Sequence, residues 1–234
     1  MGRGKFPVAR AGEIGYNSSI HEGAEDGMDK EKIRMLAKKY MRERKTHRER
    51  EIGAVYFHGL RVEKGAVELR RMLTEDDSWD DRLRCAALFH DVGKGIGKHA
   101  HTGALLAADL LGDELTEEET RDVTALIEAH QDRKPGTDGH SFWQKILQDA
   151  DLLDHYGAQG IWMCCCYYAS HEEEMNQVPD FYDTEWPKQM KEHRALLNFD
   201  VSREIFDEKC RFEMEVARRM RLEGGGRYAI SPKR

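Results

Sequence analysis

Seven ionisable side chains sit where this chain is otherwise apolar. The stretch "LRCAALFHDVGKGIGKHAHTGALLAADLL", residues 83–111, ends a buried-looking helix on His90 and Asp91 and sets His99 and His101 just beyond it. His58 falls in line with Val62, Gly65 and Leu69, and His130 continues the stripe of Val123, Leu126 and Ile127. Asp151 stands four residues after Leu147, with Ile146, Ala150, Leu152 and Leu153 around it. Any one of these reads as a hydrogen-bonded core residue, and a single His-Asp dipeptide is what chance supplies. Burying the whole set unpaired would cost several kcal/mol. A divalent cation removes that cost, because each Asp supplies charge and each neutral His a lone pair.

Other constellations fail by subtraction. No His has a Glu three residues before it, so the Glu-x-x-His pairs of di-iron bundles are absent. Neither "HEGAE" at 21 nor "HEEEM" at 171 completes a His-Glu-x-x-His zinc motif. Phosphate-cradling Gly-x-x-x-x-Gly-Lys-Ser/Thr loops and Gly-x-Ser-x-Gly nucleophile elbows are missing too. The five cysteines, Cys85, Cys164, Cys165, Cys166 and Cys210, show no Cys-x-x-Cys spacing, and three adjacent thiols cannot wrap one tetrahedral zinc. "WMCCCYYA" (162–169) reads as a buried helix.

The elements that must hold the set together are helical. There are only five prolines in 234 residues, strand-like alternation is scarce, and Thr116 with Glu119 and Ser141 with Gln144 have capping-box spacing. Helices are expected near 28–46, 50–73, 79–92, 100–111, 117–130, 142–156, 158–175, 184–197 and 200–222. His58, His90, His130 and Asp151 then reach the inside of one bundle from separate helices.

Composition narrows the class. Hydrophobic residues make up 39% and charged residues 35%, with a formal net charge of −7. No apolar run approaches the roughly 18 residues of a membrane span. Residues 1–25 lack a continuous apolar segment and read as a loose tail on a cytoplasmic protein. The segment 30–50 is locally basic, ten Lys or Arg against three Glu, over an apolar stripe of Ile33, Leu36, Ala37, Tyr40 and Met41. It is either a solvated helix face or a surface that steers an anion, with nucleic acid the less favoured partner.

His58 in "FHGLRV", His90 and Asp91 in "FHDVGKG" and Asp151 in "QDADLLD" follow the order His, His-Asp, Asp. Over about residues 48–160 this resembles the HD-domain superfamily of metal-dependent phosphohydrolases. The resemblance implies an all-α fold: one HD-domain helical bundle over 26–224, with accessory C-terminal helices from about 161 and a tail at 225–234. It implies His58, His90, Asp91 and Asp151 as ligands of a first metal. "HAHTGA" and "IEAH" resemble the members that bind two ions, adding His99, with His101 as its rival, and His130; Asp91 would bridge the ions.

The resemblance also implies the chemistry. One or two divalent ions, with Mn²⁺, Fe²⁺ or Co²⁺ better suited than Mg²⁺ to an imidazole-rich set, acidify a water for attack on phosphorus. Asp91 and Lys94, the latter from the His-Asp-x-Gly-Lys variant, are the expected catalytic residues. The substrate is a small phosphate compound, a nucleotide by preference, cleaved at a phosphomonoester or phosphodiester bond. "EAHQDRKPGTDGH" has one His and no Gly-Tyr-Pro, unlike the cyclic-dinucleotide phosphodiesterases of the superfamily. Two other readings are a metal-binding module that senses a nucleotide without turnover and a di-iron protein that oxygenates organic substrates.

Overall fold

Asp29 starts the first helix, its carboxylate accepting the backbone N–H groups of Glu31 and Lys32. That helix is α1 (Lys30–Met41), which buries Ile33, Ala37 and Met41 and stops there. The next ten residues, "RERKTHRERE", offer nothing apolar to bury, so the expected helix over 28–46 gives way to a loop and α2 begins at Ala54. The structure, a computed structural model, describes residues 28–136 and 139–228. The expected tail at 1–25 lies outside the described residues, as does 229–234.

Among the described residues there are ten helices and no strand. After α2 (Ala54–Leu73) come α3 (Asp80–Phe89), α4 (His99–Leu111), α5 (Glu117–Ala129) and α6 (Phe142–Asp154). Both foreseen capping boxes form, at Thr116/Glu119 of α5 and Ser141/Gln144 of α6. The chain continues through α7 (Ala158–Ser170), α8 (Gln177–Thr184), α9 (Trp186–Leu196) and α10 (Asp200–Gly224). Helix α8 was not expected. It carries Pro179 in its first turn, where a missing N–H costs nothing, and buries Val178 and Tyr182.

Two apolar clusters result. The first gathers side chains of α1 to α6, among them Leu83, Phe89, Leu126, Ile127, Ile146 and Leu147, all essentially inaccessible. Each stabilises the fold by about 2 kcal/mol. The second joins the end of α6 to α7–α10 through Leu152, Tyr156, Tyr182, Trp186 and Phe206. Helix α6 therefore feeds both clusters and stands at their boundary. In the first, α2 packs chiefly on α3 and α6, and α4 on α5. Gly59 permits the closest of these approaches: a Cβ there would lie 2.6 Å from the Leu88 carbonyl oxygen.

Helix α7 departs from its expected burial. None of its residues is fully buried, and Trp162 is 53% exposed. Gly160, Met163, Cys164, Tyr167 and Tyr168 instead form one helical stripe along the wall of a cleft. No helix among the described residues is long and apolar enough to cross a membrane.

Candidate metal centre

Helix α3 ends at Phe89, and the turn that follows carries His90 and Asp91 inward, at 0% and 4% exposure. The turn is pinned from both sides. Arg44 donates from its guanidinium to the carbonyls of Val92 (2.5 Å) and Lys94 (2.8 Å). On the other side α4 comes so close that a Cβ on Gly93 would lie 2.5 Å from the His99 carbonyl oxygen and 2.6 Å from the Gly103 nitrogen. This contact delivers His99 to Asp91.

Backbone and carboxylate acceptors fix the imidazoles. A carbonyl oxygen cannot donate, so His90 Nδ1 must give its proton to Ala87 O (2.7 Å) and His130 Nδ1 to Ile127 O (2.5 Å). His58 Nδ1 likewise donates to the Asp154 carboxylate at 2.7 Å. In the neutral rings every Nε2 is then a bare lone pair aimed inward. His58 Nε2 lies 3.1 Å from His90 Nε2 and 2.9 Å from Asp151 Oδ1, and His99 Nε2 is buried without a hydrogen-bond partner. Lone pairs and carboxylate oxygens facing one another need a cation between them. A proton or a metal ion can supply it, and the donor set of imidazole and carboxylate suits a divalent transition metal.

Asp91 divides the cluster in two. Its Oδ2 faces His58 Nε2 (3.9 Å) and His90 Nε2 (3.8 Å), while Oδ1 faces His99 Nε2 (3.3 Å) and His130 Nε2 (3.8 Å). Two ion-sized groups follow, one of His58, His90 and Asp91 and the other of Asp91, His99 and His130. Asp151 joins the first half through Oδ1, 3.5 Å from His90 Nε2, while Arg133 holds its Oδ2. All six residues expected as ligands thus come together. His101 does not: two residues further along α4 it points to solvent and pairs with Glu128 at 2.9 Å. Lys94 reaches Asp91 at 3.1 Å.

The electrostatics describe a site made for positive charge. Burial opposes the ionised form of Asp91, but His90, His99 and Lys94 outweigh it and hold the carboxyl well below its usual range. Asp151 is held down the same way, against burial, by Arg133, His90 and His58. Burial also opposes a charged His58, yet Asp151 and Asp154 raise it to about 9. His130, desolvated and beside His90, falls to about 4.

The cluster opens into a cleft of about 910 Å³ that runs between α6 and the C-terminal helices. Beside the cluster it is lined by Lys94, His130, Arg133, Asp151 and His155, and by Arg50 from the basic segment.

Residues 55–157 match the HD domain family. That segment is an HD domain. No curated protein sequence matches it. Among solved structures it is similar to an HD-superfamily hydrolase from Bacillus thuringiensis, at 22% identity and TM-score 0.62, covering 84% of this chain and 97% of that one. A predicted HD-superfamily hydrolase from an uncultured Thermotogales bacterium gives 22% identity and TM-score 0.55, covering 84% and 93%. Bacillus subtilis YpgQ in complex with ADP gives 20% and 0.57, covering 83% and 96%.

Four residues around the HD centre escaped the sequence reading. Asp154 holds His58 and is itself gripped by Arg61 at 2.8 Å. His155 stands beside Asp151 and His58 as part of a further ligand-competent group. Arg133 and Arg44 secure Asp151 and the turn after Asp91. Three of the four were within reach of helical spacing: Arg133 is three residues after His130, Asp154 three after Asp151 and His155 four after it. Asp149, the other aspartate near Asp151, faces away and accepts the backbone N–H groups of Asn198 and Phe199 ahead of α10.

Proposed function

We propose that this HD domain is a metal-dependent phosphohydrolase that cleaves a phosphomonoester or phosphodiester bond, with a nucleotide as the preferred substrate. One observation carries the reading: Asp91 turns its two oxygens to two different pairs of inward-facing imidazoles at the end of an open cleft. His58, His90, Asp91 and Asp151 would hold one divalent ion and Asp91, His99 and His130 a second, with Mn²⁺, Fe²⁺ or Co²⁺ favoured by the imidazole content. Such ions, when bound, acidify water near neutral pH and neutralise charge on phosphoryl oxygens.

The chain's own residues do the rest. Asp91 stays ionised, and Lys94, beside it and lining the cleft, offers an ammonium to a non-bridging phosphate oxygen. The α7 stripe of Met163, Tyr167 and Tyr168, together with Phe181, gives the cleft an aromatic wall on which a planar base can stack. YpgQ, solved in complex with ADP, supports a nucleotide as a ligand of this fold.

Elemental analysis of the purified chain beside a His90→Ala/Asp91→Ala double variant tests this. Both proteins are assayed with Mn²⁺ on p-nitrophenyl phosphate, bis-p-nitrophenyl phosphate and a nucleotide panel. Metal and hydrolysis in the first and neither in the second are expected. Bound metal without turnover of any phosphate ester would refute the hydrolase reading, and no metal at all would return these histidines to the core.

A further inference from the structure

Helix α9 gives the cleft a polar wall. Glu185, just ahead of the helix, Gln189 and His193 follow one another four residues apart, and all three line the cleft that α7 lines with Met163, Tyr167 and Tyr168. His193 is held in place. Its Nδ1 meets the Tyr156 hydroxyl at 2.6 Å, with the two rings edge to face at 83°. Tyr156 is 4% exposed, and burial pushes its pKa up, so the phenol keeps its proton. No other described residue accepts from that hydroxyl, and a buried O–H without an acceptor is costly. The hydroxyl therefore donates to Nδ1, and the single N–H of the neutral ring sits on Nε2. Burial and the Arg133 guanidinium hold the His193 pKa below its ordinary 6.5, against a smaller pull from Glu192, so the ring is neutral at pH 7. Its Nε2 has no partner among the described residues and is not buried. An oriented donor is thus left free in a residue that lines the cleft.

Two features define the acceptor that fits it. An anion at Nε2 would favour a second proton on the ring, but that proton would have to occupy Nδ1, into which the Tyr156 hydroxyl already points. The Tyr156–His193 pair is therefore matched to an uncharged acceptor. Position supplies the second constraint. Tyr156 follows Asp151 by five residues and Asp154 by two, and Arg133, close enough to act on His193, also holds Asp151. The donor stands near the HD centre, and in a nucleotide whose phosphate lies at that centre the nearest uncharged oxygens are those of the sugar.

We infer that His193 is a specificity-determining residue: its Nε2–H, aimed by the Tyr156 hydroxyl, donates to a sugar hydroxyl oxygen of the bound nucleotide. Tyr156 is its positioning residue. This deepens the nucleotide phosphohydrolase reading and rests on it. A hydrogen bond between neutral groups changes affinity by about two- to tenfold, and the chain should prefer a nucleotide to its counterpart without those hydroxyls by that factor.

The test uses two probes that cannot be hydrolysed, the 5′-phosphonates of adenosine and of 2′,3′-dideoxyadenosine, in which a C–P bond replaces the scissile ester. Each is titrated calorimetrically into the full-length chain loaded with Mn²⁺. Wild type should bind the adenosine probe about two- to tenfold more tightly. His193→Phe should remove most of that preference, and His193→Gln, whose amide still donates, should keep part of it. Tyr156→Phe, which retains the buried ring but frees the imidazole to take either tautomer, should also reduce it. Circular dichroism identifies any variant that fails to fold, and the others then decide. No binding of either probe, equal affinity of wild type for the two, or a preference that survives in folded His193→Phe and Tyr156→Phe overturns the inference. A loss that His193→Phe inflicts equally on both probes would put the imidazole on the phosphonate and overturns it as well. The hydrolase reading fails separately: the preference and its loss in His193→Phe, with no phosphate ester turned over, uphold the sugar contact and refute the hydrolase.

Discussion

Asp154 touches no inward-facing lone pair, yet its replacement by Asn should weaken metal binding. Its Oδ2 accepts the His58 Nδ1–H at 2.7 Å, and both of its oxygens accept from Arg61, at 2.8 to 3.1 Å. Burial opposes its ionised form, but His58 and Arg61 keep the carboxyl below its ordinary range, so it is an acceptor throughout the neutral region. An Asn has one acceptor oxygen for donors on both sides. If the amide N–H₂ turns to His58, the ring is driven to the other tautomer and points an Nε2–H at Asp151, into the cation position. If it turns to Arg61, the pair with the guanidinium is lost and His58 binds a neutral amide in place of a carboxylate. Either way a partner of a ligating histidine is spoiled, an effect worth about ten- to a hundredfold in metal affinity, or about 1.4 to 2.7 kcal/mol. Titration of Mn²⁺ into wild type and Asp154→Asn in competition with a chelating dye measures it. Arg61→Ala, which leaves the His58 bond intact, is the control and should change affinity far less. A folded Asp154→Asn chain that binds Mn²⁺ within twofold of wild type would show that Asp154 does not orient His58.

Three further expectations follow from the same geometry. Saturation with metal at about a hundred times its Kd adds about 2.7 kcal/mol, so Mn²⁺ should raise Tm by about 5–10 °C for a chain of this size; a Tm that ignores both Mn²⁺ and EDTA refutes the cation argument. Gly93→Ala forces α4 off the turn after Asp91 and should cost about 1–3 kcal/mol and lower the metal content per chain, so full metal content by elemental analysis would contradict it. Glu213, buried while accepting from Gly157 N–H, Tyr182 and Trp186, is pushed up to about 7 from its ordinary 4.5. Because its folded value lies above the unfolded one, its contribution is complete below about pH 4.5 and disappears as pH rises through about 7, at most about 3 kcal/mol. Glu213→Gln should flatten that part of the Tm–pH profile, and a profile identical to wild type would refute the assignment.

Much of the centre was legible because helical spacing sorts neighbours. His99 and His101 differ by about 200° around α4, so only one can face Asp91, and Gly103, one turn after His99, is where α4 comes against Gly93. The same rotation separates Asp149 from Asp151 on α6, which is why one serves the start of α10 and the other the centre. Asp154, three residues on, returns to the Asp151 side. Its role stayed hidden because it depends on His58, nearly a hundred residues earlier in the chain, and periodicity within one helix carries no information about the partner helix.

The cleft was illegible for a stronger reason. An apolar helix with no polar face reads as core, since burial is the usual fate of such a stripe. Helix α7 satisfies the pattern differently: one stripe lines a cavity, and the helix leans on α8 and α10 without being enclosed. The basic segment misled in the complementary way. Its apolar stripe ends at Met41, and the polar residues beyond continue neither the helix nor a plain solvated surface. They turn back as a loop that Arg44 fastens to the turn after Asp91, carrying His47 and Arg50 to the cleft. Both errors share an origin. A sequence pattern distinguishes residues that avoid water from residues that seek it, but a binding cleft requires apolar walls left open and charged groups held still. Those properties come from how α6 joins the two apolar clusters, with Asp151 and Asp154 facing the centre on one side of the boundary and Leu152, Leu153 and Tyr156 anchoring the C-terminal helices on the other. The candidate metal centre is therefore written in local spacing, whereas the cleft beside it is written in the packing between the two apolar clusters.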